Sequence, residues 1–359
     1  MVKRTLVTLS HAMEAAALTG AADGPVVVVA LFQRLPYFDR ERETYSRLAT
    51  LADAVVVGFV DDFRPRLSGR AHPVLLALDE PLAREWTVVV ATPRMGAFLV
   101  AVDEETVGPG ERTLEAGRLF SGRWGFSVTG AHAELRRLRA ELATRIPPGA
   151  LAAIDEVAAG SVGSAPTTAE DRTDASVRLL VAEMERARRH GVEVRGRLDA
   201  VTMNGDRDLT SQLYTPAFLH RWVGANRTTT AGPLPLALLL ITVPRLSDVG
   251  RWGTRAERET ITQVVEPLTR RLRPIDRAVR LADGEFLLVL PGIGEADAAR
   301  LAEEITGELA GLSQVYPFLP MNAVSAITVT RQRPLPLTEL RDAVAWAAAQ
   351  QIPIALLPA

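Results

Sequence analysis

The sequence contains no cysteine among its 359 residues. Disulfide bonds, thiolate nucleophiles and zinc–thiolate sites are therefore excluded. The chain also lacks a strong charge of either sign, because its formal net charge is −2 and it has no basic tail. Electrostatics thus give no reason to expect a nucleic-acid partner. No apolar run approaches the ~20 residues that a transmembrane helix needs, so we expect no membrane partner and a cytoplasmic location.

The first part of the chain alternates short apolar runs with amphipathic stretches. Residues 25–31 and 54–60 are rich in β-branched side chains, and such short runs that are apolar on both faces predict buried strands. We expect further strands over 73–78, 86–92 and 97–102, and helices over 4–20, 38–52, 112–119 and 130–145. Strands that alternate with helices predict an α/β domain with a central sheet, which we place at residues 1–148.

We interpret residues 149–207 as a linker followed by a signalling helix. A short helix over 150–158 precedes a stretch, 160–169, that is a flexible linker by composition. A long helix then carries an apolar stripe at alternating three- and four-residue steps, consisting of Val177, Leu180, Met184, Ala187, Gly191, Val194, Leu198 and Val201. This heptad pattern predicts a two-stranded coiled coil, and hence a homodimer. The alternative is a single helix that packs along its own domain.

An Asp-Gly pair near residue 284 marks a β-hairpin. Asp283 and Gly284 lie between two apolar runs, and glycine supplies the positive φ that a tight hairpin turn needs. Around this hairpin we expect strands over 234–243 and 321–330 and helices over 252–272, 295–310 and 337–350. These elements predict a second α/β domain, at residues 208–359.

The hairpin resembles the signature hairpin of GGDEF domains, the diguanylate cyclase fold. Residues 208–219 also resemble the opening motif of that family, and Arg273 with Asp276 matches its Arg-x-x-Asp pair. The resemblance implies a central, mostly antiparallel sheet flanked by helices. The family's Gly-Gly-Asp/Glu-Glu-Phe tip has changed here, and only the last two positions match in the corresponding Ala282, Asp283, Gly284, Glu285 and Phe286.

The positions that the family uses for catalysis have changed at separate places in this chain. Gly284 replaces the acidic residue of the tip, and Thr242 stands where the first strand should provide a metal-binding aspartate. Gly250 and Arg251 replace the guanine-reading Asn-Asp pair, and the late lysine falls near Ala349. Because Mg²⁺ on a triphosphate needs oxygen ligands, we predict a protein that is not an enzyme and has no catalytic residue, no metal and no cofactor.

The Arg-x-x-Asp pair is the remaining candidate site in this half. In the family it is the inhibitory site that binds cyclic di-GMP, and a planar guanidinium suits guanine and phosphate. The resemblance implies a ligand site at Arg273, Asp276 and Arg300, with Glu304 where the family has a helper arginine. We expect the Arg273 and Glu304 side chains on the surface. The alternative is a solvated ion pair in a turn, worth about 0–1 kcal/mol.

Residues 1–148 resemble the DICT domain, a sensory module named for its occurrence with diguanylate cyclases and two-component proteins. The resemblance lies in segments 9–13, 32–38, 86–90 and 123–126. His11, Tyr37, Trp86 and Trp124 are candidates for binding a sensory ligand. The alternative is a role in packing or at the surface, and we expect the two tryptophans to help form the core.

Two functional hypotheses follow from these resemblances. In the first, the protein is a cytoplasmic signalling receptor that senses through its first domain and binds cyclic di-GMP, or a related nucleotide, at the Arg-x-x-Asp pair of an inactive GGDEF domain. In the second, it is a scaffold that binds no nucleotide and regulates a protein partner through the degenerate domain. Residual GTP chemistry is the hypothesis that the sequence disfavours most.

Overall fold

The computed structural model describes residues 1–19, 24–61, 63–108, 113–159, 168–201, 206–224, 234–244, 246, 254–315 and 322–358. The chain divides into two compact units. The first consists of Met1–Glu104 and Leu119–His190, and the second of Glu105–Arg118 and Gly191–Ala359. The domain boundaries that the sequence places at residues 148 and 207 remain a prediction. Most of the predicted linker lies outside the described residues.

Residues 1–201 form a mixed succession of strands and helices. They are α1 (Lys3–Thr19), β1 (Val27–Arg34), α2 (Leu35–Leu51), β2 (Ala54–Val60), β3 (Ala71–Leu75), β4 (Glu85–Ala91), β5 (Gly96–Val107), α3 (Leu114–Gly117), β6 (Arg118–Gly125), α4 (Val128–Leu142), α5 (Pro148–Ala159) and α6 (Thr168–Val201). In the described residues, six strands form a sheet in the order β3-β2-β1-β4-β5-β6. β1 pairs with β2 in parallel and with β4 in antiparallel fashion.

Strand β1 shows why its sequence is apolar on both sides. Val28 and Ala30 face a core that also contains residues of α1 and α2. Val27 and Val29 face the opposite core, which contains residues of α4 and α5. Helices therefore cover both faces of the sheet, and the predicted α/β class is confirmed.

The expected helix over 112–119 is wrong in extent. Thr113 caps α3 by accepting a hydrogen bond from the Ala116 N–H, but the helix ends at Gly117. The chain then forms strand β6, in which Arg118 and Phe120 are buried while Leu119 pairs with Val2. An alternation of apolar and polar side chains over so few residues is a weak sequence signal for a strand.

The second unit is built on a mostly antiparallel sheet, which confirms the fold class that the GGDEF resemblance implies. Its elements are α7 (Pro216–Val223), β7 (Leu236–Thr242), α8 (Thr254–Thr269), β8 (Arg277–Ala282), β9 (Glu285–Pro291), α9 (Glu295–Val315), β10 (Val324–Thr330), α10 (Leu337–Ala349) and β11 (Ile354–Leu356). In the described residues, the strand order is β11-β10-β7-β9-β8, and only the β10–β11 pair is parallel.

The central strand β7 divides the core of the second unit. Leu239 and Ile241 pack among residues of α8 and α9 on one face. Leu238 and Leu240 pack among residues of α7 and α10 on the other. Helix α7 and strand β11 were not predicted from the sequence. Among the described residues, no helix combines the length and the apolar character that crossing a membrane requires.

Candidate functional site

The predicted hairpin is formed by β8 and β9, which meet at Asp283 and Gly284. Gly284 has a φ of +76°, in the left-handed region that favours glycine. A Cβ at this position would lie 2.6 Å from the Val243 carbonyl oxygen. The Gly284 carbonyl in turn accepts a hydrogen bond of 2.8 Å from the Val243 N–H. The tip is therefore packed directly against the end of β7, and a side chain at position 284 would clash with the Val243 carbonyl.

The fold brings together the two positions at which the GGDEF resemblance implies metal-binding carboxylates. Thr242 at the end of β7 pairs with Glu285 at the start of β9, one residue from Gly284. Neither Thr242 nor Gly284 provides a carboxylate. The carboxylate of Glu285 accepts two hydrogen bonds from Arg341, from Nε at 2.6 Å and from Nη2 at 3.1 Å. This contact raises the pKa of Arg341, and it occupies the acidic side chain that the hairpin retains.

The exposed acid of the tip is also paired. Arg280 on β8 donates from Nη2 to Asp283 and from Nη1 to Asp208, each at 2.8 Å. Partial burial favours a higher pKa for Asp208, but hydrogen bonds from Ser211 and Arg280 outweigh it and lower the pKa. Asp208 belongs to the predicted opening motif, so one arginine ties that motif to the hairpin.

The Arg273–Asp276 pair is closed on itself. The Asp276 carboxylate accepts from Arg273 Nε at 3.1 and 3.2 Å, from Nη2 at 2.8 Å and from the Arg273 backbone N–H at 2.8 Å. Arg273 Nη2 also donates to the Pro291 carbonyl at 2.6 Å. The Asp276 side chain is only 2% exposed, whereas that of Arg273 is 41% exposed. The alternative of a fully solvated ion pair is therefore wrong for the aspartate, which is buried because its arginine satisfies it.

Arg300 and Glu304 belong to a separate network on α9. Arg300 pairs with Asp297 at 2.9 Å and with Glu304 at 3.6 Å. Glu304 also pairs with Arg271, from Nε at 3.0 Å. Among the described residues, no hydrogen bond or ion pair joins Arg300 to Arg273 or Asp276. The structure therefore does not assemble the predicted three-residue site by direct contact.

The candidates in the first unit lie in different surroundings. His11 is exposed on α1 and contacts Glu41 at 3.2 Å. Trp86 packs edge-on against Phe120 and is partly buried. Trp124 is buried, so both tryptophans contribute to the core as expected. The side chain of Tyr37 lies outside the described part of the chain.

Helix α6 packs on the first unit near its start and exposes apolar side chains further along. Val177 and Val181 pack on the core of the first unit, and Arg178 lies 5.0 Å from the ring centroid of Trp124. The predicted stripe is exposed at Leu180, Met184, Ala187 and Val194. Val177, at the start of that stripe, thus packs within its own unit, and the side chains of Leu198 and Val201 lie outside the described residues.

One family model matches the first part of the chain. The model described as DICT, a sensory domain in diguanylate cyclases and two-component systems, matches residues 1–104. The prediction of a DICT-like sensory domain is therefore confirmed for that stretch. Among curated proteins, no sequence matches the chain significantly.

Several solved structures are similar to the chain. The diguanylate cyclase SiaD in complex with its activator SiaC, from Pseudomonas aeruginosa, is 18% identical with a TM-score of 0.39, covering 65% of this chain and 90% of SiaD. The S helix-GGDEF-EAL part of LapD from Vibrio cholerae, bound to c-di-GMP, is 14% identical with a TM-score of 0.35, covering 49% of this chain and 40% of that one. The coiled coil and GGDEF domain of DgcB from Caulobacter crescentus, in complex with c-di-GMP, is 14% identical with a TM-score of 0.36, covering 50% and 99%. These proteins carry the domain type whose hairpin this sequence resembles.

Proposed function

We propose that this protein is a signalling relay in which a DICT-type sensor acts through a GGDEF-like unit that has no cyclase activity. The observation that carries the proposal is the arrangement at the hairpin tip. Gly284 packs against the Val243 carbonyl, Thr242 lies at the second metal position, and Glu285 is held by Arg341. The turn that shapes the hairpin is kept, while the oxygen ligands for a metal–triphosphate complex are not.

Electrostatics support the same conclusion. Mg²⁺ is held in nucleotide sites by carboxylates together with the substrate phosphates. At this tip Glu285 and Asp283 are already paired with Arg341 and Arg280. A cation would have to displace Arg341 to bind Glu285, because both oxygens of that carboxylate accept from the arginine. The pairing therefore favours a stable turn over a metal site.

Calorimetry with GTP and Mg²⁺ on the purified full chain tests this arrangement. We expect no Mg²⁺-dependent binding of GTP by the wild type. Arg341→Ala, which frees Glu285 but leaves Thr242 and Gly284 unchanged, should not create such binding. Micromolar, Mg²⁺-dependent binding by the wild type would contradict the proposal.

Homodimerisation through α6 is the second part of the proposal. Its support is the stripe at Leu180, Met184 and Val194, which is apolar and exposed within each chain. Such a stripe at heptad spacing is buried when two helices pair. Within each chain, the contact of Arg178 with the Trp124 ring connects the sensor to this helix. A cytoplasmic location is part of this proposal.

A cyclic di-GMP site at Arg273 is a second candidate function. One observation favours it: the guanidinium stays 41% exposed, and Nη1 makes no hydrogen bond among the described residues. Calorimetry should then show micromolar binding, roughly −8 kcal/mol, which Glu304→Arg should strengthen by adding a donor. If neither protein releases heat while both remain folded, the scaffold hypothesis, with a protein partner and no nucleotide, replaces this candidate.

A further inference from the structure

Helices α1 and α2 bring three metal-ligating side chains together in the first unit. His11 and Glu14 lie three residues apart on α1, which places them on the same helix face. Glu41 on α2 faces them. One ligand atom from each of the three lies within 4.8 Å of the others, so the site joins two helices that the sequence separates.

Glu14 is the buried member, and half of its carboxylate has no partner. Its side chain is almost inaccessible, at 1% exposure for the residue. Oε1 accepts hydrogen bonds from the Tyr45 hydroxyl at 2.9 Å and from the Ser10 hydroxyl at 3.0 Å. Oε2 is buried and has no hydrogen-bond partner among the described residues. Buried polar atoms are rarely left in this condition, because the lost hydration is not replaced.

The other two ligands are accessible to solvent. The His11 side chain is 52% exposed and that of Glu41 is 27% exposed, and His11 Nε2 lies 3.2 Å from Glu41 Oε1. A cation arriving from solvent would replace this single contact with bonds to both groups. It would also give the Glu14 carboxylate a further partner.

We propose that His11, Glu14 and Glu41 bind a divalent first-row transition cation, with Zn²⁺ as the best fit. One imidazole and two carboxylates suit such cations, whereas Mg²⁺ and Ca²⁺ prefer sites made of oxygen alone. Three protein ligands leave a fourth position open for water or a ligand atom. Bonds of about 2.0–2.2 Å require ligand atoms roughly 3.3–3.6 Å apart, so the cluster needs only a modest closure.

Ser10 and Tyr45 prepare Glu14 for this role. Each donates to Oε1, on the side of the carboxylate away from the orphaned oxygen, so the two hydroxyls fix its orientation. Outer partners of this kind hold metal-binding carboxylates in proteins. Burial raises the pKa of Glu14 although both hydrogen bonds oppose this. A proton is therefore the competitor for the same position.

The site offers the sensor an input with a physical route to α6. A metal would clamp α1 to α2, and α1 also carries Thr5, whose hydroxyl donates to Glu185 on α6. This consequence rests on the proposed signalling function, but the binding itself does not. The GTP experiment above involves neither helix, so failure of one proposal leaves the other testable.

Zinc titration of the full chain, after dialysis against a chelator, tests the site. Calorimetry in competition with a chromophoric chelator should show that one Zn²⁺ binds per chain with micromolar or tighter affinity. Mg²⁺ should bind much more weakly. His11→Ala and Glu14→Gln should each weaken Zn²⁺ binding about tenfold to a hundredfold. The matched control is His190→Ala, which removes an exposed histidine from α6 and should leave the affinity unchanged.

Three results would overturn the proposal. The first is no Zn²⁺ binding by the wild type, which would show that the three side chains do not form a metal site. The second is an equal loss of affinity in His190→Ala, which would mark the binding as adventitious. The third is an X-ray absorption spectrum of the zinc-loaded wild type without an imidazole ligand, which would exclude His11. We expect one imidazole among oxygen ligands, and this measurement does not depend on whether a variant folds.

Discussion

Replacing Arg273 with alanine should destabilise the second unit, because it leaves the buried carboxylate of Asp276 without its main partner. In the wild type, Arg273 Nε and Nη2 both bind Asp276, whose side chain is 2% exposed. Hydrogen bonds to a charged group contribute about 1.5–3 kcal/mol, and breaking a buried ion pair costs about 3–5 kcal/mol. Arg273 is partly exposed and the backbone N–H bond to Asp276 survives, so we expect a loss of about 2–3 kcal/mol.

Urea unfolding followed by circular dichroism measures this loss. A change of this size should also lower Tm by roughly 4–12 °C. Arg300→Ala is the matched control, because it removes an exposed arginine whose partner Asp297 is exposed as well, and it should change stability by less than about 0.5 kcal/mol. A double-mutant cycle with Asp276→Asn should give a coupling energy above about 1 kcal/mol.

The reasoning would be refuted by an Arg273→Ala variant as stable as the wild type, or by an equal loss in Arg300→Ala. Either result would show that the pair contributes little to the stability of the second unit. A confirmed loss would mean that cyclic di-GMP can use this site only by opening a pair that stabilises the fold.

Further predictions concern the turn, the long helix and a buried histidine. Gly284→Ala should cost about 2 kcal/mol because of the positive φ and the carbonyl oxygen 2.6 Å from a new Cβ; an unchanged Tm would contradict this. Light scattering should show that the wild type is a dimer and that the double variant Leu180→Asp, Met184→Asp is a monomer. Leu179 is exposed but lies outside the stripe, so the control Leu179→Asp should remain dimeric. A monomeric wild type would exclude the dimer. Burial lowers the pKa of His132, so the stability that the neutral ring contributes is complete above about pH 6.5 and is lost as pH falls through the lowered pKa. The fall in Tm on acidification should therefore be smaller in His132→Asn, and an equal fall would argue against this assignment.

Features that depend on local chemistry could be predicted from the sequence. The Asp283-Gly284 turn follows from the backbone freedom of glycine between two apolar runs. The sequence likewise predicted a strand over residues 234–243, and the structure forms β7 there. The alternation of strands and helices was enough for the fold class in both halves.

Features that depend on distant contacts could not be predicted. The burial of Asp276 requires Arg273 to fold onto it and to reach the carbonyl of Pro291. In the first unit, His11 and Glu14 could be recognised as neighbours on one helix face, but nothing in the sequence pairs them with Glu41 on another helix. Strand β6 escaped prediction because its apolar alternation is short and follows directly on the capped turn of α3.

The central claim is that the hairpin of the second unit retains its fold and has lost catalysis. The most direct test incubates the purified full chain with GTP and Mg²⁺, or with Mn²⁺, and quantifies cyclic di-GMP by mass spectrometry beside an active diguanylate cyclase. Thr242 and Gly284 stand where the GGDEF resemblance implies metal-binding carboxylates, and Glu285 is held by Arg341. The expected product is therefore no more than that of a sample without enzyme. Accumulation of cyclic di-GMP above that level would contradict the claim.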